Sequence, residues 1–265
     1  MNQPHRARKR FGQNFLHDQH VIHRIVEAIN PQPGDSLLEI GPGQGALTRP
    51  VLQRAGRMHA IEIDRDLAAR LPDITREDGE LTLIQADALS VDPASLEVPR
   101  PIRLFGNLPY NISTPLMFHW LKRAEIVRDM HFMLQKEVVQ RIVAGPGSKT
   151  YGRLSVWMQY HCQARQLFMV SPGSFNPAPK VDSAVFRLVP HSHPPWPAAP
   201  EPILDKLLRT AFAQRRKTLQ NNLKGLLDVE ALEALGIDPK CRADSLPPEA
   251  FGQMSLALTA QGNDS

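Results

Sequence analysis

The chain has 265 residues, 42% hydrophobic and 22% charged, enough for one full α/β domain with a small appendage but too few for two large domains and too apolar for a disordered chain. No apolar run approaches the roughly 18 residues of a membrane span, and the charged start MNQPHRARKRFGQNF has no apolar stretch behind it, so neither export nor a membrane anchor is expected. Two cysteines without paired spacing, Cys162 and Cys241, exclude a disulfide framework and a cysteine zinc site and point to the cytoplasm, while the net charge of +4 matters through where it sits.

In chain order the first feature is the basic group Arg6, Arg8, Lys9 and Arg10, suited to a polyphosphate partner. His17, His20 and His23 recur every three positions, but no acid or cysteine joins them and no metal is expected. Between Ser36 and Pro190, short leucine-rich or β-branched runs alternate with helical patterns, the signature of a parallel sheet with crossover helices. The predicted strands are 36–40, 58–63, 81–86, 102–106, 130–134, 166–170 and 184–189. SPGSFNPAPKVDS, full of proline and turn formers, joins the last two, which should therefore pair antiparallel at one edge. Six prolines fall within 190–202, a stretch that reads as a linker in which His191 and His193 are solvated. Beyond it ILDKLLRTAFA, TLQNNLKGLLD, VEALEALG and EAFGQMSLALTA repeat apolar residues at helical spacing. The expected organisation is a Rossmann-like domain over 1–190, a linker over 191–202 and an all-helical domain over 203–265. In the last, Lys206, Arg209, Arg215, Arg216, Lys217 and Lys224 run for nineteen positions without an acid.

The first strand leads into LEIGPGQGALT, where Gly41, Gly43 and Gly45 make a tight turn after the acid Glu39 and let backbone approach a ligand closely. Alone, this turn also satisfies a dinucleotide fingerprint. The next two strands narrow the choice. Glu62 ends the second, where a carboxylate can accept from both hydroxyls of a ribose, and Asp87 follows the third, where it can accept from the amine of an adenine. A glycine turn and two acids at three successive strand ends suit S-adenosylmethionine better than NAD, and the expected fold is that of a class I S-adenosylmethionine-dependent methyltransferase.

The fourth strand ends in FGNLPYNIST. Exocyclic amines of bases are poor nucleophiles because the nitrogen lone pair is delocalised into the ring. The Asn107 side-chain oxygen and the Leu108 carbonyl can each accept one N–H of such an amine and free the lone pair toward a methyl group. Pro109 stiffens the turn, and the Tyr110 ring can stack on the base. Phe175, in SFNPAPKVDS, is a candidate for the base's other face; its alternative is an edge-loop phenylalanine closing the core. A base held between Phe175 and Tyr110 has to leave its stack, which favours a single-stranded or loop nucleotide.

GQNFL, LEIGPGQGALT, IEID, QADAL, GNLPYNIST, VAGPGSKTYGRLSV and FNPAPKVDSAVFRL together resemble the ribosomal RNA adenine N6-dimethyltransferase family, most closely its bacterial KsgA type, over nearly the whole chain. The resemblance implies S-adenosylmethionine-dependent dimethylation of two adjacent adenosines in the 3′-terminal hairpin loop of 16S rRNA in a maturing 30S subunit. It further implies a late role in subunit biogenesis, with loss of the enzyme conferring kasugamycin resistance; a monomer is the default. It places Asn14 and Leu16 in the donor pocket with Gly41, Gly43, Glu62 and Asp87, and Asn107 between donor and acceptor. Arg215, Arg216 and Lys217 would meet rRNA phosphates and Arg6 to Arg10 border the substrate entrance, while Gln220 stands where a basic residue is expected. Antibiotic-resistance methyltransferases share the glycine and asparagine turns, but KVDSAV favours the dimethyltransferase side. A non-catalytic RNA-binding assembly factor, a DNA adenine methyltransferase and an NAD-dependent dehydrogenase are the alternatives.

Overall fold

A computed structural model of the chain describes residues 13–110, 112–192, 196 and 200–263. Arg6, Arg8, Lys9, Arg10 and His193 lie outside the described residues. The chain forms two compact units, one of Met1–Val139 with Arg165–Pro190, the other of Gln140–Ala164 with His191–Ser265. In chain order the elements through the sheet are β1 (Phe15–Leu16), α1 (Gln19–Ile29), β2 (Ser36–Ile40), α2 (Thr48–Ala55), β3 (Arg57–Glu62), α3 (Arg65–Ile74), β4 (Glu80–Gln85), β5 (Ile102–Asn107), α4 (Ser113–Leu121), β6 (Val127–Gln135), α5 (Lys136–Ile142), α6 (Arg153–His161), β7 (Cys162–Val170), β8 (Phe175–Asn176) and β9 (Ser183–Pro190).

Seven strands form one sheet in the order β4-β3-β2-β5-β6-β9-β7. The pairs β4/β3, β3/β2, β2/β5 and β5/β6 are parallel, whereas β9 runs antiparallel to β6. The expected Rossmann-like sheet with a reversed terminal strand pair is therefore present, with β9 inserted beside β6 and β7 on the edge. β2 and β5 occupy the middle, and their apolar runs are buried along almost their whole length, as strands covered on both faces must be. The edge strand β4 instead alternates exposed and half-buried residues. α1 starts where Asp18 accepts from the backbone N–H groups of His20 and Val21, buries Val21, Ile22, Ile25, Val26 and Ile29 on one face, and stops at Asn30 with φ 47°. After β2 the chain builds outward to β3 and β4, then returns to lay β5 on the other side of β2. That reversal opens a crevice at the carboxyl ends of the strands, the usual position for a ligand in an open α/β sheet.

The second unit contains α6 together with α7 (Glu201–Ala211), α8 (Leu219–Asn222), α9 (Val229–Ala234) and α10 (Pro248–Asn263). Its core includes Leu204, Leu207, Leu208, Leu219, Leu223, Leu232, Phe251 and Met254, with Phe212 and Phe251 stacked at 5.5 Å. Three expectations change here. Residues 140–164 group with the C-terminal helices, so the second unit is not continuous in sequence. TLQNNLKGLLD yields a helix of only four residues, because Gly225 takes φ 80° and the Asn222 side chain donates to the carbonyls of Ala211 and Gln214. His191 is not simply solvated: its Nε2 lies 3.1 Å from the Gln159 carbonyl and its backbone N–H donates to His161. In the proline-rich stretch, Trp196 packs against the Tyr160 ring at 5.4 Å.

Candidate active site

The crevice holds a cavity of about 230 Å³ that lies wholly within the first unit. Its floor is the turn after β2, in which Gly41, Gly43 and Gly45 have φ of 70°, 57° and 81°. At Gly43 two demands meet. The backbone is left-handed, and an added Cβ would lie 3.3 Å from the Phe15 ring, which packs over the turn. The Gly43 N–H donates to Glu62 Oε2 at 3.0 Å, and the Asp64 N–H donates to Oε1 at 2.8 Å. Glu62 thus ties the ends of β2 and β3 together and keeps lone pairs free for further donors. Burial lifts its pKa, opposed by the N–H groups of Asp64, Gly43 and Ile63.

Beside it Glu39, almost fully buried, accepts from Thr48 Oγ1 at 2.7 Å. Burial pushes its pKa up to about 8; the Thr48 hydrogen bond opposes this and the charge of Glu62 adds to it. Asp87 accepts the Leu89 N–H at 2.9 Å through Oδ1, leaving Oδ2 without a hydrogen-bond partner among the described residues. Three carboxyl groups therefore line one cavity, and among the described residues no lysine or arginine is paired with them. Ile63, 45% exposed, adds an apolar face between Glu62 and Asp87.

The opposite wall is the turn after β5. Gly106 precedes it with φ 157°, and an added Cβ there would sit 2.4 Å from the Ile40 carbonyl oxygen, so only glycine lets β5 lie this close to β2. Asn107 Nδ2 donates to the Asn14 carbonyl at 3.0 Å, which leaves its Oδ1 as the uncommitted atom among the described residues. The Leu108 N–H donates to Met133 on β6, the Ile112 N–H to the Pro109 carbonyl, and Ser113 Oγ to the Tyr110 carbonyl. The turn is held at each of its four residues.

The N-terminal segment completes the enclosure. Gln13 Nε2 donates to Asp64 Oδ2 at 3.2 Å, and Leu16 and Phe15 pair with Phe175 and Asn176 in a two-stranded antiparallel ribbon. Asn14, Leu16, Gly41, Gly43, Glu62, Asp87, Asn107, Leu108, Pro109 and Tyr110 are thereby gathered around one cavity. Phe175 is not among its lining residues: it is 3% exposed and belongs to the hydrophobic core with Leu16 and Val185, which favours the core-closing alternative over stacking on a base. In the second unit Arg215, Arg216 and Lys217 are exposed in the turn between α7 and α8. Arg215 is partly engaged, 3.5 Å from Asp244 and donating to the Ser148 carbonyl at 3.3 Å.

Sequence reasoning passed over Glu39, Ile63 and Gly106 as site residues. Each left a signal: an acid inside an otherwise apolar strand, a large apolar residue continuing past a strand end, and a lone glycine within a strand.

The reversed seven-stranded sheet and the cavity at its switch point define a class I methyltransferase. Among solved structures the chain is similar to a dimethyladenosine transferase from Plasmodium falciparum (TM-score 0.82, 26% identity, covering 94% of this chain and 98% of that one) and to the 23S rRNA methyltransferase ErmE (TM-score 0.74, 26% identity, 93% and 100%). It is 55% identical to the ribosomal RNA small subunit methyltransferase A of Proteus mirabilis (98% of this chain, 97% of that protein) and 54% identical to that of Pseudomonas aeruginosa (96% and 95%). Residues 4–260 match the ribosomal RNA adenine dimethylase family, and the chain belongs to that family. It is an rRNA adenine methyltransferase.

Proposed function

We propose that this chain transfers methyl groups from S-adenosylmethionine to N6 of two adjacent adenosines in the 3′-terminal hairpin loop of 16S rRNA, in a maturing 30S subunit in the cytoplasm, giving N6,N6-dimethyladenosine. The observation that carries the reading is the Oδ1 of Asn107, uncommitted among the described residues, on a braced turn facing a cavity whose carboxyl groups have no cationic partner among those residues. When bound, S-adenosylmethionine supplies an electrophilic methyl group on a cationic sulfur. The residues suit it: the positive-φ glycine turn leaves room for the methionine end, Glu62 accepts from the ribose hydroxyls, Asp87 Oδ2 from the adenine amine, and Ile63 covers the adenine face. Asn14 and Leu16 close the pocket from the N-terminal segment.

At the acceptor, Asn107 Oδ1 and the Leu108 carbonyl accept the two N–H groups of the target amine, which localises its lone pair. Tyr110 offers its ring to the base. A strong base is not needed, because an alkylated ammonium is acidic enough to lose its proton to water. The reaction is driven by positioning and polarisation.

The deciding experiment compares unmethylated 30S subunits and duplex DNA as substrates, followed by digestion to nucleosides. Dimethyladenosine in the RNA sample alone is expected. Asn107→Ala should lower methyl transfer about 10²–10³-fold with S-adenosylmethionine binding retained in calorimetry; unchanged transfer would remove Asn107 from the reaction, whereas dimethyladenosine in neither sample with the unsubstituted chain would support the non-catalytic assembly factor. For RNA docking, Arg216 and Lys217 have no carboxylate partner among the described residues. Replacing both by alanine should flatten the log–log salt dependence of particle binding by about 0.7–0.9 per lost phosphate contact. Arg215→Ala should do less, because Asp244 already draws on its charge.

A further inference from the structure

The sequence KVDSAV separates two kinds of methyltransferase by resemblance, yet no step of the reaction above uses it. In the fold, Asp182 and Ser183 stand where the loop after β8 enters β9. Ser183 pairs in register with Gln135 of β6, is 1% exposed, and is preceded by an Asp182 whose carbonyl accepts the Lys136 N–H at 2.9 Å. Ser183 is thus held by strand pairing and burial beside the acceptor turn. Its hydroxyl oxygen lies 3.0 Å from the Tyr110 hydroxyl, so one of the two donates to the other. A tyrosine side chain chooses among staggered χ1 rotamers, and a hydrogen bond at the far end of its ring selects one of them. Asn107, Leu108 and Pro109 have backbone or amide anchors, but the Tyr110 ring projects beyond them, and the Ser183 hydroxyl is its polar tether.

We propose that Ser183 is a positioning residue for the acceptor base: it pins the Tyr110 hydroxyl to β9 and so fixes the direction in which the ring projects toward the target adenine. The inference builds on the reading of Tyr110 as a wall of the acceptor site. It gives the KVDSAV sequence a role in presenting the base, and it makes the acceptor site a joint product of two segments 73 positions apart.

The test uses the full chain with unmethylated 30S subunits. Ser183→Ala and Tyr110→Phe should each raise KM for the particle by about two- to tenfold, the range expected for losing one neutral hydrogen bond, with the Kd for S-adenosylmethionine unchanged. The double variant should be no worse than the worse single one, and Ser183→Thr, which keeps the hydroxyl, should restore KM. With ¹³Cζ-labelled tyrosine the three tyrosines of the chain give three resonances; Tyr110→Phe identifies one, and Ser183→Ala should move that one while Ser183→Thr does not. An unmoved Tyr110 resonance with unchanged KM in Ser183→Ala, or effects that multiply in the double variant, would overturn the proposal. If Ser183→Ala does not fold, Tyr110→Phe leaves β9 intact and decides alone, unchanged KM counting against. Tyr110→Ala separates this idea from its foundation. Unchanged KM there removes the acceptor reading itself, whereas raised KM there with no effect of Tyr110→Phe or Ser183→Ala removes only the tether.

Discussion

β5 carries Arg103 among carboxylates near its start and ends at Asn107 beside the cavity, so a single strand joins two regions that handle charge in opposite ways. At its start Arg103 donates to both oxygens of Asp129, to Asp35 at 2.7 Å, and to the carbonyls of Ile29 and Asn30 that end α1. Arg128 and Arg187 complete the shell around the two acids. Burial works against the Arg103 cation, but the hydrogen bonds and charges of Asp129 and Asp35 outweigh it and hold its pKa above the ordinary value. At the other end Glu39, Glu62 and Asp87 have hydroxyl and N–H donors but no cation among the described residues. Carboxylates held by the protein's own cations are structural, and carboxyl groups without such a cation mark the site.

The largest expected effect comes from breaking the first pattern. Arg103→Met leaves Asp129 and Asp35 without their central partner and should cost about 3–5 kcal/mol in urea denaturation, while the folded fraction binds S-adenosylmethionine with its normal Kd. A weakened Kd with little loss of stability would show that the two ends are not separate. Next, Asp87→Asn keeps an oxygen for the Leu89 N–H but turns an amide toward the ligand amine. Calorimetry should find the affinity for S-adenosylmethionine reduced by about tenfold or more, with the denaturation midpoint hardly changed.

The smallest effect sharpens the comparison through pH. Glu39 has its folded pKa raised to about 8, so the stability from its protonated form is complete below its ordinary value near 4.5 and is lost as pH rises through 8. Glu39→Gln should flatten that loss. In register with Glu39 across Phe105 of β5, His131 of β6, buried next to Asp129, has its pKa lowered to about 4 by burial, with Arg187 and Arg103 adding and Asp129 opposing. Its contribution is present above 6.5 and lost as pH falls through 4, so His131→Phe should flatten the acid limb instead. Thermal melts from pH 4 to 9 read both, at about 2–4 °C for each kcal/mol. Flattening on the same side in both variants would contradict the assignment.

Much of the cavity was legible because its chemistry sits at strand ends. Strand ends follow from apolar runs, and a glycine turn, Glu62, Asp87 and NLPY each stand directly after such a run. Phe175 shows where this logic stops. An aromatic in a proline-rich loop fits a base-binding role as well as a core role, and only its pairing with Leu16 places the ring in the core. Residues 140–164 were equally opaque, because apolar periodicity states that a helix needs a partner without stating which unit supplies it.

What the sequence by itself determined is the alternation of elements, the reversed last strand pair and the identity of most groups around the cavity, since these depend on local spacing and on residues adjacent in the chain. Tertiary structure alone decided that Asn14 holds the Asn107 amide, that Ser183 reaches Tyr110 and that Arg103 joins Asp35 to Asp129. Each of these links is a hydrogen bond between side chains or carbonyls brought together by the crossing of distant strands, and its short range leaves no trace in periodicity or composition.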